Sequence, residues 1–234
     1  DYWQQKEKVN TYCLLDTISK YMDSGDIYVS GSSGSCLEIA MQTFRVKKGQ
    51  RVFSTKGLAS MGYGLPSAVG ACLASGRKRT VGVNGDGGFV MNIQELQTIA
   101  RLQLPVKIFV LCNQGYGAIK ATQTNIFDGH LVACDETSGL TLPKISQFAE
   151  AYGLKSYVIH NNTQLDKKVQ EALKEPGPVI VEVITPIGLT ALPKQVSYKR
   201  KDGQMESLPL EYMNPPLSED EMRENMLIPL YEMV

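Results

Sequence analysis

No apolar run of about 18 residues occurs in this chain, so no segment has the length to cross a bilayer as a helix. Net charge is absent too: 24 basic and 24 acidic residues cancel. A chain without a basic excess is not built to bind nucleic acid through phosphate electrostatics. Zinc spacing is missing. The five cysteines, Cys13, Cys36, Cys72, Cys112 and Cys134, are scattered, with no CxxC and no Cys/His pair. They read as reduced, buried thiols. The two histidines, His130 and His160, lie far from one another and from Cys36, so no imidazole base is at hand in sequence to activate that thiol. A GxGxxG fingerprint is lacking as well, because Gly31-Ser32-Ser33-Gly34 has the wrong spacing for a nicotinamide-binding turn. No signal-peptide pattern opens the chain at Asp1. The expectation is a cytoplasmic fragment or excised domain, without internal repeats.

What is present suits a sizeable core. The chain has 234 residues, 43% of them hydrophobic, enough for one large domain with appendages. Strand and helix patterns alternate. Asn10 to Met22 reads as a helix with Leu14, Leu15 and Ile18 on one face. Strands are expected at Asp26–Ser30, Arg79–Asn84, Pro105–Cys112, Ser156–Ile159 and Pro178–Ile184. Helices are expected at Leu65–Ala74, Asn92–Leu102, Pro143–Tyr152 and Gln164–Lys174. Asn92 and Glu95 have capping-box-like spacing. The run Val106 to Leu111 is apolar without alternation, as in a strand buried on both faces. This order predicts an α/β fold, an open and mostly parallel sheet with helices on both faces.

Three regions follow. Residues 1–24 form an N-terminal helix and linker, 25–185 the α/β domain, and 186–234 a tail. In the tail, prolines interrupt the chain, charge gathers at Lys199-Arg200-Lys201-Asp202, and a short acidic helix is expected from Glu219 to Asn225. Such composition buries little.

Chemistry concentrates at Gly85-Asp86-Gly87-Gly88-Phe89 and Asn113-Gln114-Gly115-Tyr116-Gly117. Asp86 follows one strand and Asn113 the next, and ligands of open parallel sheets bind beyond the carboxyl ends of strands. A carboxylate and a carboxamide oxygen there suit magnesium, which takes oxygen ligands and shares them with phosphate and water. The glycines let backbone approach phosphate oxygens, and their amides can form an anion-binding concavity. The helix expected from Asn92 adds a positive dipole end. A lone Gly-Asp-Gly makes turns in many proteins. Its pairing with Asn113 at the next strand end is what points to a metal and a diphosphate.

At these residues the chain resembles the thiamine-diphosphate enzymes, whose signature is GDG and, at this distance, N. Gly57-Leu58-Ala59-Ser60-Met61-Gly62-Tyr63-Gly64-Leu65-Pro66 is similar to the acetolactate synthase segment G-L-G-T-M-G-x-G-L-P, and Val90-Met91-Asn92-Ile93-Gln94-Glu95-Leu96 is also like that family. Residues 25–185 resemble its cofactor-diphosphate-binding, Rossmann-like three-layer domain. The resemblance implies thiamine diphosphate and Mg2+ as cofactors. It implies metal binding by Asp86, Asn113 and the Gly115 carbonyl. Diphosphate contacts fall to the Gly85 turn, to backbone amides of Gly87, Gly88, Gly117 and Ala118, and to a second turn at Gly34, Ser35 and Cys36. Met61 becomes the apolar wedge beneath the cofactor, and the Ala59 carbonyl helps orient the aminopyrimidine.

The implied reaction is decarboxylation of a 2-oxo acid such as pyruvate with transfer of a two-carbon unit to a carbonyl acceptor. Alternatives are a decarboxylase of the same cofactor class that does not ligate, and a non-catalytic cofactor-binding subunit. The family's Q-H-Q stretch is replaced near Gly34-Ser35-Cys36, and Gln195–Gly203 with Leu208–Met213 resembles tails of acetolactate synthase-like proteins of sugar pathways, where the acceptor is a keto-sugar. The family's activating glutamate comes from a pyrimidine-binding domain, of the same or a partner chain, so a homo-oligomer (dimer or tetramer) is implied.

Overall fold

The computed structural model describes residues 2–32, 34–200 and 202–230, without the side chains of Tyr2 and Lys199. The readings at Ser33 and Lys201 lie outside the described residues. The chain divides into one unit over Asp1–Thr190 and another over Ala191–Val234.

The first unit begins with α1 (Thr11–Tyr21). Asn10 caps it by accepting from the Tyr12 amide at 2.9 Å, a contact worth about 1 kcal/mol. Leu14, Leu15, Ile18 and Met22 are fully buried, as their spacing requires. Then come β1 (Ile27–Ser30), α2 (Glu38–Thr43), β2 (Arg51–Phe53), α3 (Gly64–Ala74) and β3 (Thr80–Gly85). They are followed by α4 (Asp86–Val90), α5 (Glu95–Leu102), β4 (Val106–Cys112), α6 (Gly117–Ile126), α7 (Ile145–Ala151), β5 (Lys155–Ile159), α8 (Leu165–Lys174) and β6 (Val179–Ile184).

All six strands pair in parallel, in the order β2-β1-β3-β4-β6-β5. The expected α/β class is therefore observed as a three-layer fold. β4 is central and buried along nearly its whole length. Val106, Ile108 and Val110 join a core with Leu65, Ala68, Phe89, Leu96, Ile99, Ile145 and Ile180. Each fully buried Leu, Ile, Val or Phe contributes roughly 1.5–3 kcal/mol. The alternate β4 positions Lys107, Phe109 and Leu111 point to the opposite face, following the period of two. Lys107 is wholly buried there, donating at 2.6 Å to the Glu175 carbonyl and also to that of Gly177. Burial pushes its amine down to about 8. Elsewhere α1 packs on α2 and α8, α3 covers β1, β3 and β4, and α7 covers β5 and β6.

Two expectations are corrected. The helix expected from Asn92 to Leu102 is shorter, beginning only at Glu95 as α5, and a separate short helix, α4, starts at Asp86 itself. Asn92 makes no capping box. Its amide donates at 2.9 Å to the Gly62 carbonyl, a tertiary contact that overrides the local pattern.

The second unit holds β7 (Lys194–Gln195) paired antiparallel with β10 (Met213–Asn214), and β8 (Ser197–Lys199) paired with β9 (Met205–Ser207). Its one expected helix is α9 (Glu219–Asn225), capped by the Ser218 hydroxyl. Among the described residues no helix is long and apolar enough to cross a membrane.

Candidate functional site

β2 pairs on one side of β1 and β3 on the other, so the strand order turns back between β1 and β3. In an open α/β sheet this is where a ligand crevice forms. Three segments meet at the carboxyl ends there. The loop after β1 turns through Gly34–Cys36. The β3 end runs straight into α4, which begins at Asp86. β4 ends at Cys112, followed by Asn113. Gly85 lies opposite Leu111 in the ladder, so Asp86 and Asn113 leave neighbouring strands nearly level.

The Asp86 carboxylate is 3% exposed. Oδ1 accepts from the Gly87 amide and Oδ2 from the Gln114 amide, both at 2.8 Å. Gln114 reaches this position in a left-handed conformation, φ 64°, which costs a non-glycine residue roughly 1–2 kcal/mol. Among the described residues no ion pair includes Asp86. Burial raises its carboxyl to about 6, while the backbone donors pull the other way.

Beside it the Asn113 side-chain amide and the Gly115 carbonyl converge on Asp86 Oδ1. One end of the Asn113 amide lies 3.2 Å from Asp86 Oδ1 and 2.8 Å from the Gly115 carbonyl; without a cation its nitrogen belongs there, donating to both. With a cation among them its oxygen would take that place. Oxygens at neighbouring corners of a magnesium octahedron of radius 2.0–2.1 Å are about 2.9 Å apart, close to both separations. The donor set, one carboxylate, one carboxamide and one carbonyl, is all oxygen and suits a hard cation. Among the described residues no three His, Cys, Asp or Glu side chains gather into a metal site, so this cluster depends on amide and carbonyl oxygens.

The remaining predicted residues lie on the loop after β1, the segment before α3, and the starts of α4 and α6. Gly87 and Gly88 are in the first turn of α4, and Gly117 and Ala118 open α6. Two of these amides already have partners: Gly87 donates to Asp86 Oδ1, and Gly117 to the Gly115 carbonyl at 3.2 Å. Met61 and Ala59 precede α3. Ala59 takes a left-handed φ of 51°, and the Asn92–Gly62 bond ties the Met61 segment to the α4–α5 corner. Cys36 is buried, and the Ser35 hydroxyl donates at 2.6 Å to the Leu189 carbonyl.

Sequence reasoning missed two participants. Gly64, at the start of α3, receives Asn84 so closely that a Cβ would sit 1.7 Å from Asn84 Oδ1. The Cys134–Ser138 segment packs on the 115–117 loop, and its only sequence sign is an Asp135-x-x-Ser138 cap. A cavity of about 200 Å³, lined by Gln103, Leu154, Lys155, Glu175 and Gly177, lies at the opposite edge of the sheet. Its Lys155 and Glu175 pair with each other, and it takes no part in the site.

Residues 32–183 match the family model described as thiamine pyrophosphate enzyme, C-terminal TPP binding domain, and the chain belongs to this family. It is 34% identical over 157 residues to an acetolactate synthase large subunit of Porphyra purpurea, covering 67% of this chain and 26% of that protein. It is 33% identical over 181 residues to acetolactate synthase 3, chloroplastic, of Brassica napus, covering 74% and 26%. It is 34% identical over 173 residues to acetolactate synthase, chloroplastic, of Arabidopsis thaliana, covering 70% and 25%. The chain thus spans about a quarter of the length of the relatives it matches.

The Asp86 environment has a pH consequence. Its folded pKa is raised from the usual 3.8 to about 6. The metal-free fold is therefore favoured below the unfolded value and loses stability as pH rises through about 6. A cation held at this site would bind the ionised form. Its affinity should rise about tenfold per pH unit up to about pH 6 and level off above. A Mn2+ titration followed by electron paramagnetic resonance between pH 5 and 8 reads this directly, and a flat profile contradicts it.

Proposed function

We propose that this chain forms the diphosphate-binding part of a thiamine-diphosphate- and magnesium-dependent, acetolactate synthase-like enzyme. It would decarboxylate a 2-oxo acid such as pyruvate and pass the two-carbon unit to a carbonyl acceptor. The convergence of Asp86, Asn113 and the Gly115 carbonyl beyond the ends of β3 and β4 carries the reading. These three would hold Mg2+, and the cation would neutralise a diphosphate laid against the first turns of α4 and α6, whose positive ends favour an anion. When bound, thiamine diphosphate supplies the electron sink for decarboxylation.

The chain's own residues position and shield. Met61 would offer an apolar support beneath the cofactor, and the carbonyl of the left-handed Ala59 would help orient the aminopyrimidine. The activating glutamate is assigned to a pyrimidine-binding domain of the same or a partner chain, within a dimer or tetramer. A cytoplasmic location belongs to the same reading, although two relatives are named chloroplastic.

For the carbonyl acceptor a keto-sugar is proposed, from the likeness of Gln195–Gly203 and Leu208–Met213 to the tails of acetolactate synthase-like proteins of sugar pathways.

Calorimetry tests the proposal. Thiamine diphosphate with Mg2+ should bind this chain weakly or not at all alone, and at least tenfold more tightly when a pyrimidine-binding domain is added. Strong NAD binding without metal would sink the proposal.

A further inference from the structure

The segment Ala133–Gly139 is the best-braced feature beside the cluster, and nothing in the reading above uses it. The Tyr116 amide donates to the Cys134 carbonyl at 2.8 Å, and Gly115 forms an antiparallel bridge with Asp135. The approach is so close that a Cβ on Gly115 would lie 2.3 Å from the Cys134 carbonyl oxygen. The segment is itself fixed. The Ala133 amide bonds the Ser138 carbonyl at 2.8 Å, and Asp135 Oδ1 accepts from the Ser138 amide at 3.0 Å and from the Ser138 and Thr137 hydroxyls at 2.8 Å. Asp135 Oδ2 takes the Lys120 ammonium, from the first turns of α6, at 2.5 Å.

One carboxylate therefore joins the turn to the helix that follows the metal loop, and the backbone of that turn grips the loop from the other side. We propose that Asp135 is a positioning residue for the cation site: it locks the 133–139 turn against residues 115–117 and so holds the Gly115 carbonyl toward Asn113 and Asp86. The inference rests on the metal reading of that cluster.

Such a brace acts on the metal rather than on the core. Oxygen ligands demand near-octahedral placement for a small cation, so a loosened carbonyl costs affinity even where the fold survives. Asp135→Ala removes the cap and the ion pair together. Asp135→Asn keeps an acceptor for Ser138 and Thr137 but loses the charge that holds Lys120. Lys120→Met removes the pair alone.

The test is a Mn2+ titration of the full chain with thiamine diphosphate and a pyrimidine-binding domain present, followed by electron paramagnetic resonance, with melting temperatures recorded in parallel. Asp135→Ala should weaken Mn2+ binding about tenfold or more, with Asp135→Asn and Lys120→Met intermediate. Val169→Ala, a buried α8 position away from the site, serves as the stability control. It should lower the melting temperature and leave Mn2+ affinity unchanged. If Asp135→Ala melts lower but binds Mn2+ as the parent does, Asp135 is merely structural and the inference fails. If Asp86→Ala also binds as the parent does, or the parent shows no saturable binding, the metal reading itself fails.

Discussion

Asp86→Ala should abolish magnesium-dependent binding of thiamine diphosphate, measured by calorimetry with a pyrimidine-binding domain present. Asp86 is the one charged group in the oxygen cluster, since Asn113 and the Gly115 carbonyl are neutral. Without it the cation loses its only anionic protein ligand, and the diphosphate loses the cation. The loss should exceed the roughly 10–100-fold typical of changes one shell further out. Truncation also leaves the Gly87 and Gln114 amides without the partners they have at 2.8 Å, so a modest fall in melting temperature is expected. Asp86→Asn separates the two effects. It keeps the shape and one acceptor but not the charge, so it should melt nearer the parent than Asp86→Ala does and still fail to bind. Unchanged affinity in either variant refutes the metal assignment.

Gly64→Ala should be among the most damaging single methyl additions to the fold. Its Cβ would come 1.7 Å from Asn84 Oδ1 and 2.6 Å from Asn84 Cγ, inside a site where Asn84 is 2% exposed. Asn84 cannot swing away freely, because Gly31 approaches it from the β1 side; a Cβ there would lie 3.1 Å from the same oxygen. Overpacking of this kind costs about 1–3 kcal/mol, occasionally more, and urea unfolding should show a loss at or above that upper value. The double variant Gly64→Ala/Asn84→Ala removes the clash and should recover more than half of the loss, a coupling expected of residues in contact. Additive effects would contradict the packing described.

How much of this was legible in the sequence depended on which forces set each element. The apolar run that became β4 and the amphipathic stretch that became α1 were plain, because burial alone fixes them. Asn10 and Met22, taken as helix ends, proved to be the caps of α1. By contrast α2, β2 and α6 gave no periodic signal. α6 buries no residue, so it has no apolar stripe to read, and β2 is three residues long on the sheet edge. α4 was hidden by its glycines, poor helix formers that are held helical by the site they serve. Asn92 followed a local capping rule in sequence and a tertiary bond to Gly62 in space. The pairing of Asp86 with Asn113 could be read because adjacent parallel strands bring their ends together by rule. The contact of Asp135 with the Gly115 loop could not, since it depends on how the chain returns after α6.

The most direct test of the account is a crystal structure grown with Mn2+ and thiamine diphosphate, with the metal located by its anomalous signal. The account predicts one strong peak bound by Asp86, the Asn113 amide oxygen and the Gly115 carbonyl, at about 2.1 Å as for magnesium. A peak elsewhere, or an Asn113 amide turned so that its nitrogen bonds Asp86 and Gly115 while cofactor is bound, would contradict it.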